Sequence, residues 1–235
     1  MPTSARTASA LVGYLASALT GLSGEARTEV FAISDVVAGV CADTGIDLYQ
    51  PRKSTDPVHH SGIPDDEVFR LDRERVAGSD LLIHLAHHPS TGAGQELVIA
   101  KGALVPIIVL AAEGALVSRM VTGLPGVLVV RHHDLPTLAE RLARQIEELR
   151  PTLTTRRAAF AVHDRPAFGS RLKELRQARG LTEQGLVAAM RVPELISVRE
   201  LRDWESSSDR ESNLHLVQIR EIAAALNVSP ADLLT

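Results

Sequence analysis

Over its first two thirds the chain alternates short apolar runs with stretches of helical periodicity. Residues 11–15, 46–49, 81–86, 107–110 and 127–130 are mainly apolar runs bounded by Gly, Asp or Pro, which predicts strands. Between and after them, residues 25–44, 65–77, 97–104 and 138–149 repeat apolar positions at helical spacing. Strands alternating with helices predict an α/β fold, a Rossmann-like or flavodoxin-like parallel sheet with helices on both faces. The longest apolar tract, residues 97–117, is interrupted by Lys101, Pro106 and Glu113, so it predicts a buried helix and strand and no membrane partner.

Beyond residue 166 the rhythm is helical only. Phe168, Leu172 and Leu175 mark one face of a helix that stops at Gly180. Thr182 is placed to cap a second helix to Met190, Asn213 another to Leu226, and Pro230 opens a last short turn. The pattern predicts a small all-α domain. Residues 150–165, with Pro151, three threonines and paired arginines, read as a linker. The expected organisation is an α/β domain over 1–149, a linker over 150–165 and a helical domain over 166–235.

Composition narrows the function classes. A chain of 235 residues, 45% hydrophobic with a formal charge of −4, is a folded protein and excludes both a disordered tail and a strongly basic nucleic-acid coat. The single Cys41 excludes an internal disulfide framework and a Cys-based zinc site. No charged-then-apolar segment opens the chain, and a cytoplasmic location is the expectation. His59-His60, His87-His88 and His132-His133 are adjacent pairs whose rings point apart, with no His-x-x-x-His spacing, so neither a metal nor a cofactor is expected.

The stretch most suggestive of chemistry is His87-His88-Pro89-Ser90-Thr91-Gly92-Ala93-Gly94-Gln95-Glu96-Leu97. It reads as a glycine loop between a strand and a helix, at the sheet edge where α/β folds collect ligands. Amide groups at such a helix start attract anions, and glycines let a ligand approach the backbone. Glu96 then falls in the first helical turn, where two readings stay open: a carboxylate aimed at a ligand, or one that only offsets the helix dipole. His87 and His88 are loop residues beside this site.

Two resemblances sharpen the picture. Gly13-Tyr14-Leu15-Ala16-Ser17, Phe69-Arg70-Leu71-Asp72, Ser79-Asp80-Leu81-Leu82-Ile83, Pro89 through Leu97 and Val117-Ser118-Arg119 follow one another as in the nucleoside 2-deoxyribosyltransferase-like superfamily. Within it, the chain resembles most the nucleoside 5'-monophosphate N-glycosidases. The resemblance implies Glu96 as nucleophile on the anomeric carbon, Asp72 as the group that protonates or orients the leaving base, and Tyr14 near the sugar. It implies Ser90 and Ser118 as phosphate ligands, Ser118 reaching across a homodimer; Ser17, Gly92 and Gly94 complete the expected nucleotide contacts. Each also has a plain structural role open to it: a core aromatic for Tyr14, a solvated helix face for Asp72, turns for the serines.

Phe168-Gly169-Ser170-Arg171-Leu172 through Thr182, Leu201-Arg202-Asp203-Trp204-Glu205, and Ile222 through Leu234 resemble the Cro/C1-type (XRE-family) helix-turn-helix domain. That implies double-stranded DNA as partner, with Ser197, Arg199 and Arg202 reading bases and Arg171, Arg176, Arg179 and Arg191 on phosphates. The chain departs from that pattern in a longer stretch over residues 191–198 and in Glu183, where a Gln is usual. Nine Lys and Arg face ten acidic residues over 166–235, a weak basic footprint that leaves a helical protein-interaction module open. The expected function is a DNA-binding transcriptional regulator, bacterial and nucleoid-associated when on DNA, whose first domain binds and cleaves a nucleotide. The alternative is an N-glycosidase or deoxyribosyltransferase of nucleotide metabolism or phage defence, with the helix-turn-helix serving targeting or autoregulation.

Overall fold

The computed structural model describes residues 10–162, 168–206 and 215–234. The chain divides into two compact units, Met1–Ala159 and Phe160–Thr235.

The first unit is built on five parallel strands, β1 (Leu11–Ala16), β2 (Ile46–Tyr49), β3 (Leu81–Leu85), β4 (Ile107–Ala112) and β5 (Val127–His132), in the order β2-β1-β3-β4-β5. Every pairing is parallel, which requires a crossover between strands. The crossovers are α1 (Gly24–Asp43), α2 (Asp65–Ala77), α3 (Thr91–Gly102) and the short α4 (Arg119–Thr122); α5 (Leu135–Val162) follows β5. Side chains of a strand alternate between faces, and here both faces are apolar. Leu81, Ile83 and Leu85 pack with Val30, Ile33 and Val37 of α1 and Leu138, Leu142 and Ile146 of α5. Tyr14, Leu82 and Val109 pack on the other side with Val76 of α2 and Leu97 and Ala100 of α3. Each fully buried Leu or Ile in these layers contributes about 1.5–3 kcal/mol, so the two-sided sheet is the main source of the unit's stability.

The fold class is as the sequence predicts, but two segments differ. The glycine stretch expected as a loop is helical: α3 starts at Thr91, six residues before the predicted start at Leu97. Ser90 is the cause, because its side chain accepts a hydrogen bond from Ala93 N–H and closes the first turn over the glycines. Residues 150–162, expected as linker, continue α5 straight through Pro151. Leu153 is fully buried, and Arg156 donates to the carbonyls of Ser79, Ala103 and Leu104 while Arg157 pairs with the buried Asp80. Those contacts hold the segment on the first unit despite the amide hydrogen bond that proline removes.

The second unit contains α6 (Phe168–Ala178), α7 (Glu183–Ala189), α8 (Val198–Ser206), α9 (Leu216–Ala225) and α10 (Pro230–Leu234). Leu172, Leu186, Ile196, Leu201, Trp204 and Ile222 form its core. Thr182 caps α7 as predicted, accepting from Gly185 N–H. The predicted cap Asn213 lies outside the described residues; at the start of α9 the Gln218 side chain accepts from His215 N–H. No described helix is long and apolar enough to cross a membrane.

Candidate active site

In a sheet of this order the strand sequence reverses between β1 and β3, which opens a crevice above their carboxyl ends. A cavity of about 750 Å³ lies there, lined by the β1–α1 loop at Ser17 and Thr20, by α2 at Asp72, and by the start of α3 at Ser90, Gly92 and Glu96. The parallel topology thus gathers residues from separate parts of the chain on one wall.

Tyr14 is fully buried near the end of β1, and its hydroxyl donates a 2.8 Å hydrogen bond to Glu96 Oε1. Among the described residues, Glu96 Oε2 is buried with no hydrogen-bond partner, a costly state for a carboxylate oxygen. Burial raises the Glu96 pKa to about 7; the neighbouring Asp72 charge adds to the rise, and the Tyr14 hydrogen bond opposes it. Burial likewise raises Asp72, against the hydroxyls of Thr55, Tyr49 and Tyr14, which favour its charged form. Tyr14 itself is held firmly protonated by burial and by the two carboxyl groups. Glu96 stands in the second turn of α3, and the first turn carries no acidic residue. Offsetting the helix dipole, an effect confined to the first turn, therefore does not account for it.

Two further residues of this cluster escaped the sequence reading. Tyr49 ends β2 in register with Tyr14, and their rings stack at 5.5 Å. Thr55 is buried, with its hydroxyl 3.3 Å from both oxygens of Asp72. Its loop is anchored by Asp56, which accepts from the amides of Val58 and His59 and pairs with Arg27 of α1. The parallel placement of β1 and β2 could have signalled Tyr49; a lone Thr in a polar loop carries no comparable mark.

The remaining predicted residues separate. Ser17, Ser90 and Gly92 line the same cavity as Glu96 and Asp72. Gly94 and Ser118 instead line a second cavity of about 600 Å³, together with His87 and His88. Ser118 is exposed at the start of α4. His87 and His132, on the loop after β3 and the end of β5, bring their Nε2 atoms to 3.0 Å; burial lowers the His87 pKa to about 4, so the neutral rings share one proton. Among the described residues no group of three or more His, Cys, Asp and Glu is arranged to hold a metal.

In the second unit Ser197, Arg199, Arg202 and Arg191 are exposed. Ser197 forms a capping box with Glu200 at the start of α8, and Arg202 lies 3.7 Å from Glu183. Arg171 donates to the Asp232 carbonyl and Arg179 to that of Asn227. Arg176, expected on phosphate, is instead buried and gives both a 2.6 Å and a 2.5 Å hydrogen bond to Glu205. It also donates to the Leu181 carbonyl. A guanidinium so enclosed holds helices together and is closed to a DNA backbone.

No family model matches the sequence, and no curated protein does. Solved structures do show a likeness. The CMP N-glycosidase BcmB of Clostridium botulinum is 17% identical, with 56% of this chain and 96% of that chain covered at a TM-score of 0.43. A 2-deoxyribosyltransferase of Bacillus psychrosaccharolyticus is 21% identical, covering 55% of this chain and 90% of the other at a TM-score of 0.43. BlsM is 16% identical, with 61% and 93% covered at a TM-score of 0.49.

Proposed function

We propose that the first unit cleaves the N-glycosidic bond of a nucleoside 5'-monophosphate or closely related nucleoside. One observation carries this reading: Glu96 lies on a cavity wall with Oε1 held by Tyr14, Oε2 unpartnered, and a second carboxyl, Asp72, on the same wall. Loss of a base from a sugar passes through an oxocarbenium-like state, which one carboxylate meets at the anomeric carbon while a second, protonated, assists the leaving group. Glu96 takes the first role and Asp72 the second. As the glycosidic C–N electrons move onto the base, the Asp72 proton follows them, and Glu96 Oε2 bonds to the anomeric carbon; water or a second base then releases the sugar. Tyr14 keeps Glu96 turned toward the sugar. Ser17, Ser90 and the first-turn amides of α3 suit a 5'-phosphate, and Ile63, Phe69 and Ile99 offer an apolar wall for the base.

The pair must hold one proton, with Glu96 ionised and Asp72 protonated. With Glu96 at about 7, kcat/KM rises as pH rises through that value and the nucleophile ionises, and it falls on the alkaline side as Asp72, raised by burial, loses its proton. The direct test is product analysis on a panel of nucleosides and nucleoside monophosphates. The wild type releases free base and Glu96→Ala releases none; a wild type silent on every nucleotide overturns the reading.

A second proposal concerns the helical unit. Its α8 buries Leu201 and Trp204 while exposing Arg199 and Arg202, with Ser197 exposed just before it, the arrangement of a helix that enters a DNA groove. We propose DNA docking by this face, with a homodimer presenting it twice. Salt-dependent retention on duplex DNA by the full chain and its loss from a fragment of residues 1–162 would support it. Equal retention by both would refute it.

A further inference from the structure

We propose that Thr55 is a positioning residue for Asp72, its hydroxyl receiving the charge that appears on that carboxyl when the proton leaves for the base. The inference rests on the N-glycosidase reading above. Thr55 Oγ1 sits 3.3 Å from Asp72 Oδ1 and 3.3 Å from Oδ2, so it bridges the carboxyl symmetrically. The hydroxyl has one proton, and besides Asp72 it meets the Pro51 carbonyl at 3.3 Å and the Tyr49 hydroxyl. That carbonyl already accepts the amides of Ser54 at 2.9 Å and of Thr55 itself at 2.7 Å, which occupies both its lone pairs. Between the two acceptors still open, the charged Asp72 carboxylate outcompetes the neutral Tyr49 hydroxyl for the Thr55 proton. Thr55 is buried, and the Asp56 anchor beside it fixes the loop, so the donor is in place before reaction. A preorganised donor aimed at charge that develops in the transition state costs no reorganisation when that charge forms.

The proton balance is closed. The Asp72 O–H bond breaks, the proton joins the base that leaves with the C–N electron pair, and the resulting carboxylate accepts from Thr55. Other groups facing Asp72 are Tyr14 from β1, Tyr49 from β2 and Glu96 from α3. On its own helix, Arg75 lies over the Tyr49 ring at 5.2 Å. Tyr14 gives its 2.8 Å hydrogen bond to Glu96, and both tyrosines also act on Asp72, but Thr55 is the hydroxyl that touches both of its oxygens. Its hydrogen bond lowers the Asp72 pKa against the rise that burial imposes.

The test compares wild type, Thr55→Val and Thr55→Ser in two measurements: the pH profile of base release, and the titration of the Asp72 side-chain carboxyl by carbon-13 NMR in the full chain without substrate. Thr55→Val is expected to lower kcat about tenfold, the weight of one hydrogen bond to a charged group. Without the donor the charged form of Asp72 is less stable, so its titration and the alkaline limb of the rate both move to higher pH. Thr55→Ser restores both. A slower Thr55→Val enzyme with an unmoved limb and an unmoved Asp72 titration makes Thr55 mere packing and overturns the proposal. If the wild type releases no base while the Asp72 titration still moves in Thr55→Val, the N-glycosidase reading fails and the Thr55–Asp72 coupling stands.

Discussion

Glu96 is a carboxyl group placed where its charge is costly, and that cost makes a prediction. The usual carboxyl releases its proton near 4.5, whereas burial moves Glu96 to about 7. Between those values the folded chain holds a proton that the unfolded chain has lost, so stability falls as pH rises through the window and the cost is fully present above about 7. Glu96→Gln removes it. At pH 8 this variant should gain about 1–3 kcal/mol and melt at a higher temperature by far-ultraviolet circular dichroism. At pH 4 the gain should vanish, and base release should be absent throughout. A variant less stable than wild type at pH 8 would mean that the charge is better solvated than its burial implies. Glu96 was legible in the sequence through its neighbours Ser90, Gly92 and Gly94. Tyr14 was placed near the sugar by resemblance, but its bond to Glu96 was not legible: the two stand 82 residues apart, and only the adjacency of β1 and α3 joins them.

At the scale of elements, local signals placed most of what was found and misplaced the rest for identifiable reasons. The apolar runs located all five strands, because burial on both faces keeps the central ones β1, β3 and β4 almost wholly apolar. The start of α3 was missed because glycines disfavour helix, and a single N-cap at Ser90 outweighs them. Pro151 suggested a break in α5, but Leu153 and Arg156 bind the turn beyond it to the sheet. Packing in the helical unit shows the same dependence on contact. A Cβ added to Gly169 of α6 would lie 1.6 Å from the Trp204 carbonyl oxygen of α8, an approach only glycine permits. Gly169→Ala should therefore cost on the order of 3 kcal/mol or more, since backbone must move to admit it. Trp204 is the chain's one tryptophan, so its fluorescence in a urea titration reads this unit alone; an unchanged midpoint would contradict the close packing.

For the whole molecule, the candidate chemistry lies within the first unit, from Tyr14 and Thr55 to Asp72 and Glu96. The fragment of residues 1–162 should therefore release base at a rate within about threefold of the full chain, a difference of under ~1 kcal/mol in the barrier. A fragment that folds by circular dichroism but is inactive would show that the site needs residues beyond 162. The sequence alone determined the class of each unit, because hydrophobic period and helix caps are local and survive without knowledge of neighbours. It also determined that a carboxylate follows Ser90 at a helix. The tertiary structure decided which residues share the cavity: a parallel sheet brings the ends of β1 and β3 together, and no local pattern encodes that distance. It also decided roles, burying Arg176 against Glu205 and drawing Thr55 to Asp72. A charge or a hydroxyl acquires its function from the dielectric and the partners around it, and those exist only once the chain has closed on itself.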